Sequence, residues 1–222
     1  MSTDFFNGKR RFVVALLLIV FFALLLAVAL RVFSRKHVNL GHRFHYLVVG
    51  TENVEVGVFN AQLDGGAGYL LCVDDRQYVA LTVYLNEEEC MSICEEMRKS
   101  GENCAMVSIE TATISIKNNE EDITGAFRTF YDYLSLLEQE IFRLDKGATQ
   151  QSSKRILSIL KAQFVFLGER YQDSLSGLSR LCSKTAESLT GCLMGEVYVK
   201  DLREILCEAS REYVLLTEEF KL

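Results

Sequence analysis

The sequence predicts an α+β protein with three parts: a single N-terminal transmembrane helix, a β–α–β–β–α–β unit, and an antiparallel helical bundle. Three observations predict it. Phe12 to Leu30 form an unbroken run of nineteen apolar residues. Between His45 and Ile116, short runs rich in β-formers alternate with helical ones. From Glu121 onward the apolar residues recur in alternating steps of three and four, the spacing of one helix face.

A helix rises about 1.5 Å per residue, so the N-terminal run approaches the roughly 30 Å hydrocarbon core of a bilayer. Lys9, Arg10 and Arg11 precede it, the charge pattern of both a signal peptide and a signal anchor. Ala27-Val28-Ala29 is an A-x-A-like triplet, so a cleaved signal is the alternative. No Gly or Pro breaks the helix before that triplet, and Arg31 follows at once, which favours an uncleaved anchor. The expected division is a tail at 1–11, a membrane helix at 12–33 and a juxtamembrane linker at 34–44. The basic residues on the two flanks nearly balance and do not choose an orientation. The short tail before a long C-terminal part leads to the expectation of a single-pass cell-membrane protein whose remainder lies outside the cytoplasm.

Composition narrows the partners. The 222 residues carry a net charge of −6, with the acidic side chains spread along the chain, which argues against nucleic acid. There is no proline, so long uninterrupted helices are permitted. The seven cysteines, Cys72, Cys90, Cys94, Cys104, Cys182, Cys192 and Cys207, are odd in number and contain no C-x-x-C pair. They read as small buried hydrophobes rather than a disulfide framework, and mildly favour a reducing compartment. Cys90 and Cys94 stand one helical turn apart, the spacing of half a metal site, but burial explains them as well. His37, His42 and His45 cluster beside the expected anchor without an interleaved carboxylate or cysteine, so they read as juxtamembrane surface and no metal is expected. No P-loop, G-x-S-x-G or H-E-x-x-H occurs. The chain is expected to be a non-enzyme with no catalytic residue and no cofactor.

The β–α unit is read element by element. Tyr46 to Val49 is a short strand, and Asn53 to Leu63 a short helix weakened by Gly57. Gly65, Gly66 and Gly68 turn the chain into a strand at Tyr69 to Val73. Asp74, Asp75 and Arg76 form the next turn, and Tyr78 to Tyr84 is the clearest strand. Its Val79, Leu81 and Val83 alternate with Tyr78, Ala80, Thr82 and Tyr84. Asn86 caps the next helix, with Glu87, Glu88 and Glu89 well placed against the dipole. That helix stops at Gly101, and Cys104 to Ile109 is the last strand, continuing toward Ile116. The order implies a split-βαβ arrangement with both helices on one face of an antiparallel sheet and the other face open.

These residues resemble the SPOR domain, a small peptidoglycan-binding module of bacterial division and sporulation proteins. The resemblance rests on Tyr46-Leu47-Val48-Val49-Gly50, on Gly65-Gly66-Ala67-Gly68-Tyr69, on Tyr78 to Tyr84 and on the acidic helix start before Cys90. A single N-terminal anchor ahead of the module is common in that family. The chain departs from it at Val48, where glutamine is frequent, at Thr82, where glycine is, and at Glu52, where an aromatic is. The resemblance implies a SPOR-like domain at 45–117 that binds peptidoglycan glycan strands through its open sheet face. Tyr46, Tyr78 and Tyr84 would stack on sugar rings and Thr82 would bond to hydroxyls. The alternative is that these four are strand residues present for β-propensity alone.

The remainder, 121–222, reads as a helical bundle. Ile123, Phe127, Phe130, Leu134, Leu137, Ile141 and Leu144 mark one helix, ended by Lys146-Gly147. A long central helix from Gln150 to Leu189, with a break near Gly168 or Gly177, precedes a last one carrying Val199, Leu202, Leu206, Ala209, Tyr213, Leu216 and Phe220. Such stripes are core seams or interfaces for a protein partner or self-association. The leading expectation is a membrane-anchored cell-wall binding protein linked to division or sporulation. The second is a membrane-tethered cytoplasmic scaffold or regulatory protein working through its bundle.

Overall fold

The computed structural model describes residues 20–26, 35–51, 53–117 and 121–221. In chain order the elements are α1, the helical stretch at 20–26, then β1 (Arg35–Asn39), β2 (Arg43–Val49), α2 (Val54–Leu63), β3 (Tyr69–Val73), β4 (Arg76–Tyr84), α3 (Glu87–Lys99), β5 (Cys104–Glu110) and β6 (Thr113–Lys117). Four long helices follow: α4 (Glu121–Asp145), α5 (Gln150–Arg170), α6 (Ser176–Met194) and α7 (Val199–Glu219). The chain is α+β, with seven helices and two small sheets among the described residues.

The expected fold class is corrected at its N-terminal part. Among the described residues no helix is long and apolar enough to cross a membrane. The expected tail, 1–11, and most of the expected span, 12–33, lie outside the described residues. The expected linker, 34–44, contains strand β1, which pairs antiparallel with β6 as a separate two-stranded sheet.

The larger sheet is antiparallel, in the order β3-β4-β2-β5. Local chemistry accounts for its connections. Asn53 and Asn86 accept from the backbone N–H of Val56 and Glu89, capping α2 and α3. Asp74 and Asp75 both hold positive φ, 48° and 60°, in the two-residue turn between β3 and β4. Aspartate tolerates that region because its short side chain bonds locally. Gly66 lies against β4: a Cβ there would meet Leu81 Cδ2 at 2.8 Å and the Ala61 carbonyl at 3.0 Å.

The expected open sheet face does not exist. α2 and α3 cover one face, and the bundle, chiefly α7, covers the other. Phe44, Tyr46, Val48, Leu71, Ala80 and Val83 point into one continuous core with Phe127, Phe130, Phe164, Leu206 and Tyr213. Leu47, Cys90, Cys94 and Cys104 form a smaller cluster beneath α3, joined by Leu81 and Tyr84. A β-bulge divides the strand: Leu47 pairs with Thr82 but Val48 pairs with Ala80, leaving Leu81 over. Tyr78 therefore packs toward the bundle core and Tyr84 toward the α3 cluster. Strict alternation put both on one face; the extra residue between them reverses the order.

The expected three-helix region is a four-helix one. The central helix breaks at Tyr171 to Leu175, and α6 folds back on α5. Gly168 lies at the close approach, where a Cβ would stand 3.1 Å from Cys182 Cβ. Thr217 donates to the Val214 carbonyl and accepts from the Ala112 N–H at 3.0 Å, tying the end of α7 to the link between β5 and β6.

Candidate functional site

Between α2 and α3 the sheet is left partly uncovered, and a cavity of about 540 Å³ opens there. That size falls within the range of small-molecule sites. Leu47, Leu81, Ile93 and Met97 supply an apolar floor and wall. Asn60, Asp64 and Glu102 bring amide and carboxylate groups, and Thr82 and Tyr84 bring hydroxyls.

Arg203 reaches this cavity from α7, round the end of the sheet. Its guanidinium donates to the Gly65 carbonyl at 2.7 Å and pairs with Asp145 at 2.6 Å. The turn at Gly65-Gly66 is thus held from both sides, by Arg203 and by its own close packing on Leu81. Burial pushes the Tyr84 phenol up to about 12, with Arg203 partly opposing it. The phenol stays neutral at physiological pH and keeps a proton to donate.

The four residues expected to contact glycan are divided among three places. Thr82 and Tyr84 line the cavity. Tyr78 packs at the edge of the bundle core. Tyr46 is 0 % exposed, and its hydroxyl donates to the Cys207 carbonyl at 3.2 Å. Tyr46 is therefore not a stacking surface, because the bundle covers it, and Tyr78 is half-buried against the same core. Asn60, Asp64, Glu102 and Arg203 went unseen in the sequence. No local pattern joins them, since they come from α2 and its C-cap, the turn before β5 and the last helix. A signal for the covered sheet was nevertheless present. Leu47-Val48-Val49 and Val79-Ala80-Leu81 are continuous apolar runs, the mark of strands buried on both faces.

The three histidines occupy separate environments rather than one juxtamembrane surface. His37 is exposed on β1. His45 is buried on β2, with Nδ1 2.8 Å from the Ser108 hydroxyl. His42 stacks on Tyr131 at 3.9 Å between ring centres, and its Nδ1 lies 2.9 Å from the Tyr213 hydroxyl. That hydroxyl donates its one proton to the Phe127 carbonyl, so His42 is the donor in their bond and carries its proton on Nδ1. Burial holds His42 down to about 4.

Cys90 and Cys94 point into the α3 cluster, where Cys94 Sγ lies 3.3 Å from Cys104 Sγ. Burial pushes the Cys90 and Cys104 thiols up, which suits packing more than reactivity. Among the described residues no group of three or more His, Cys, Asp or Glu is placed to hold a metal ion.

No protein-family model, curated protein or solved structure matches this chain.

Proposed function

We propose that the chain is a binding protein whose cavity between α2 and α3 takes a short glycan segment, with Thr82 and Tyr84 among its contacts. One observation carries the proposal: the cavity sets an apolar floor beside a ring of hydroxyl, amide, carboxylate and guanidinium groups. Saccharides have that same division. Their C–H faces pack on apolar and aromatic side chains, while their hydroxyls donate to carboxylates and accept from amides and guanidinium groups. The resemblance to SPOR modules supplies the class, peptidoglycan glycan strands, and the covered sheet moves the contact to the opposite face of the strands. The proposal assigns binding and no bond-breaking step.

The test is calorimetric titration of the full-length chain with purified glycan strands freed of peptide, and with cellulose oligomers as the control sugar. Saturable binding of the first is expected. Asn60 is exposed at the rim, so Asn60→Trp blocks the cavity without disturbing the core. It should abolish the heat signal while the circular dichroism spectrum stays the same. Binding that survives Asn60→Trp would place the contact elsewhere, and no binding by the unmodified chain would refute the glycan class.

A further inference from the structure

α5 has two apolar stripes. Leu157, Leu160, Phe164 and Leu167 are buried in the bundle. On the outer side Arg155, Ile159, Ala162, Phe166 and Glu169 are all exposed. Their steps are four, three, four and three, which brings them into one row along the helix. Ile159 is 57 % exposed and Phe166 64 %. A single exposed apolar side chain is ordinary, but two on one seam beside a groove form a patch. That groove, about 630 Å³, runs along the row with Tyr133 of α4 on its other wall.

The row also carries a pattern of charge. Arg155 stands seven residues before Ala162 and Glu169 seven after it. Among the described residues neither charge makes an ion pair. The row is therefore positive at one end, negative at the other, apolar between, and small at its centre.

We propose that this row is the interface of an antiparallel homodimer, with α5 of one copy lying against α5 of a second about a twofold axis at Ala162. A twofold contact is self-complementary, so each Arg155 meets Glu169 of the second copy and the pair forms at both ends. Ile159 then meets Phe166 of the second copy, and Ala162 faces its own equivalent, where its small side chain allows close approach. A parallel pairing would set Arg155 against Arg155 and Glu169 against Glu169. Charge thus selects the antiparallel direction. This interface lies on the bundle, away from the cavity, and stands or falls independently of the glycan proposal.

The test is sedimentation velocity of the full-length chain over about 1 to 100 µM, a range that spans the dissociation constants of modest interfaces. A reversible monomer–dimer equilibrium is expected. Phe166→Glu should abolish it. Arg155→Glu should weaken it at least about tenfold, because like charges then face each other at both ends. Adding Glu169→Arg to Arg155→Glu should restore it, since the swapped charges again pair. All three positions are exposed, so folding is kept, and unchanged circular dichroism checks this. Every variant retains the same N-terminal residues, so only the α5 face differs between them. A wild-type monomer at every concentration, or a dimer indifferent to Phe166→Glu, would overturn the proposal. Loss with Arg155→Glu that the second swap fails to rescue would overturn the antiparallel arrangement.

Discussion

The Tyr46 hydroxyl donates to the Cys207 carbonyl at 3.2 Å, across 161 residues of sequence and from the central sheet to the last helix. Around that bond the sheet and the bundle share one core, from Phe44 and Val83 to Phe130 and Tyr213. Tyr46→Phe is expected to cost about 1 kcal/mol, the net worth of one buried hydrogen bond. Tyr46→Ala should cost about 3 to 5 kcal/mol through the cavity it leaves. In both variants, strand and helix signals should melt together. The fragment Arg43–Lys117 alone should stay unfolded, since it would expose the face that α7 covers. Separate transitions, or a folded fragment, would show instead two independent units.

Glu138 on α4 accepts the Leu85 N–H at 2.9 Å, just past β4. Burial pushes its carboxyl up to about 7, and that hydrogen bond only partly opposes the shift. Because the folded value is raised, its protonated form favours folding. That stability is full below the ordinary value of about 4.5 and is lost as pH rises to about 7. Glu138→Gln keeps an acceptor for Leu85 and removes the charge. At pH 8 it should be more stable than the parent by about 1 to 3 kcal/mol, with the gain fading toward pH 4. Denaturant midpoints across that range measure it, and a loss of stability at pH 8 would show that the charge is favourable where it sits.

His42 works in the opposite direction. Its folded value is lowered to about 4, by burial first, with Asp132 opposing and Arg128 adding to the fall. Above about 6.5 the ring is neutral in both states. As pH falls from 6.5 to 4 the unfolded chain takes up a proton that the folded chain resists, so stability declines. The ring is partly exposed, so solvent screening reduces the effect to about 1 to 2 kcal/mol. Relative to the parent, His42→Gln should lose this acid decline. Since Glu138 and His42 act over nearly the same window with opposite signs, each substitution should unmask the other group. A pH profile parallel to the parent's in either variant would remove that group as a source.

Two glycines give opposite expectations. Gly125 on α4 has open space around the position of a Cβ, so Gly125→Ala should stabilise by about 0.5 to 1 kcal/mol through helix propensity. Gly66 packs against Leu81 and the Ala61 carbonyl, so Gly66→Ala should destabilise by about 1 to 3 kcal/mol and narrow the cavity. Thermal melts compare the pair. Equal effects would mean that the Gly66 turn relaxes freely.

Much of the local structure could be read from the chain. Asn53, Asn86, the Asp74-Asp75 turn and the heptad stripes of α4 and α7 depend on contacts within a few residues, and those contacts are written in order along the sequence. The strands Tyr69 to Val73 and Tyr78 to Tyr84 were legible too, but alternation at Tyr78 to Tyr84 led to the expectation of an open face that the bundle in fact covers. Tertiary structure decided the rest. The bulge at Leu81 arises only when β4 meets β2, and it sends Tyr78 and Tyr84 to opposite faces. β1 exists only because β6 lies beside it. The candidate cavity joins Asn60, Thr82, Glu102 and Arg203, which no sequence period relates. The physical reason is range. Capping, turns and helical stripes are settled by neighbours in the chain, whereas a bulge, a covered sheet face and a cavity are settled by which distant apolar surfaces bury one another, as Tyr46 and α7 do.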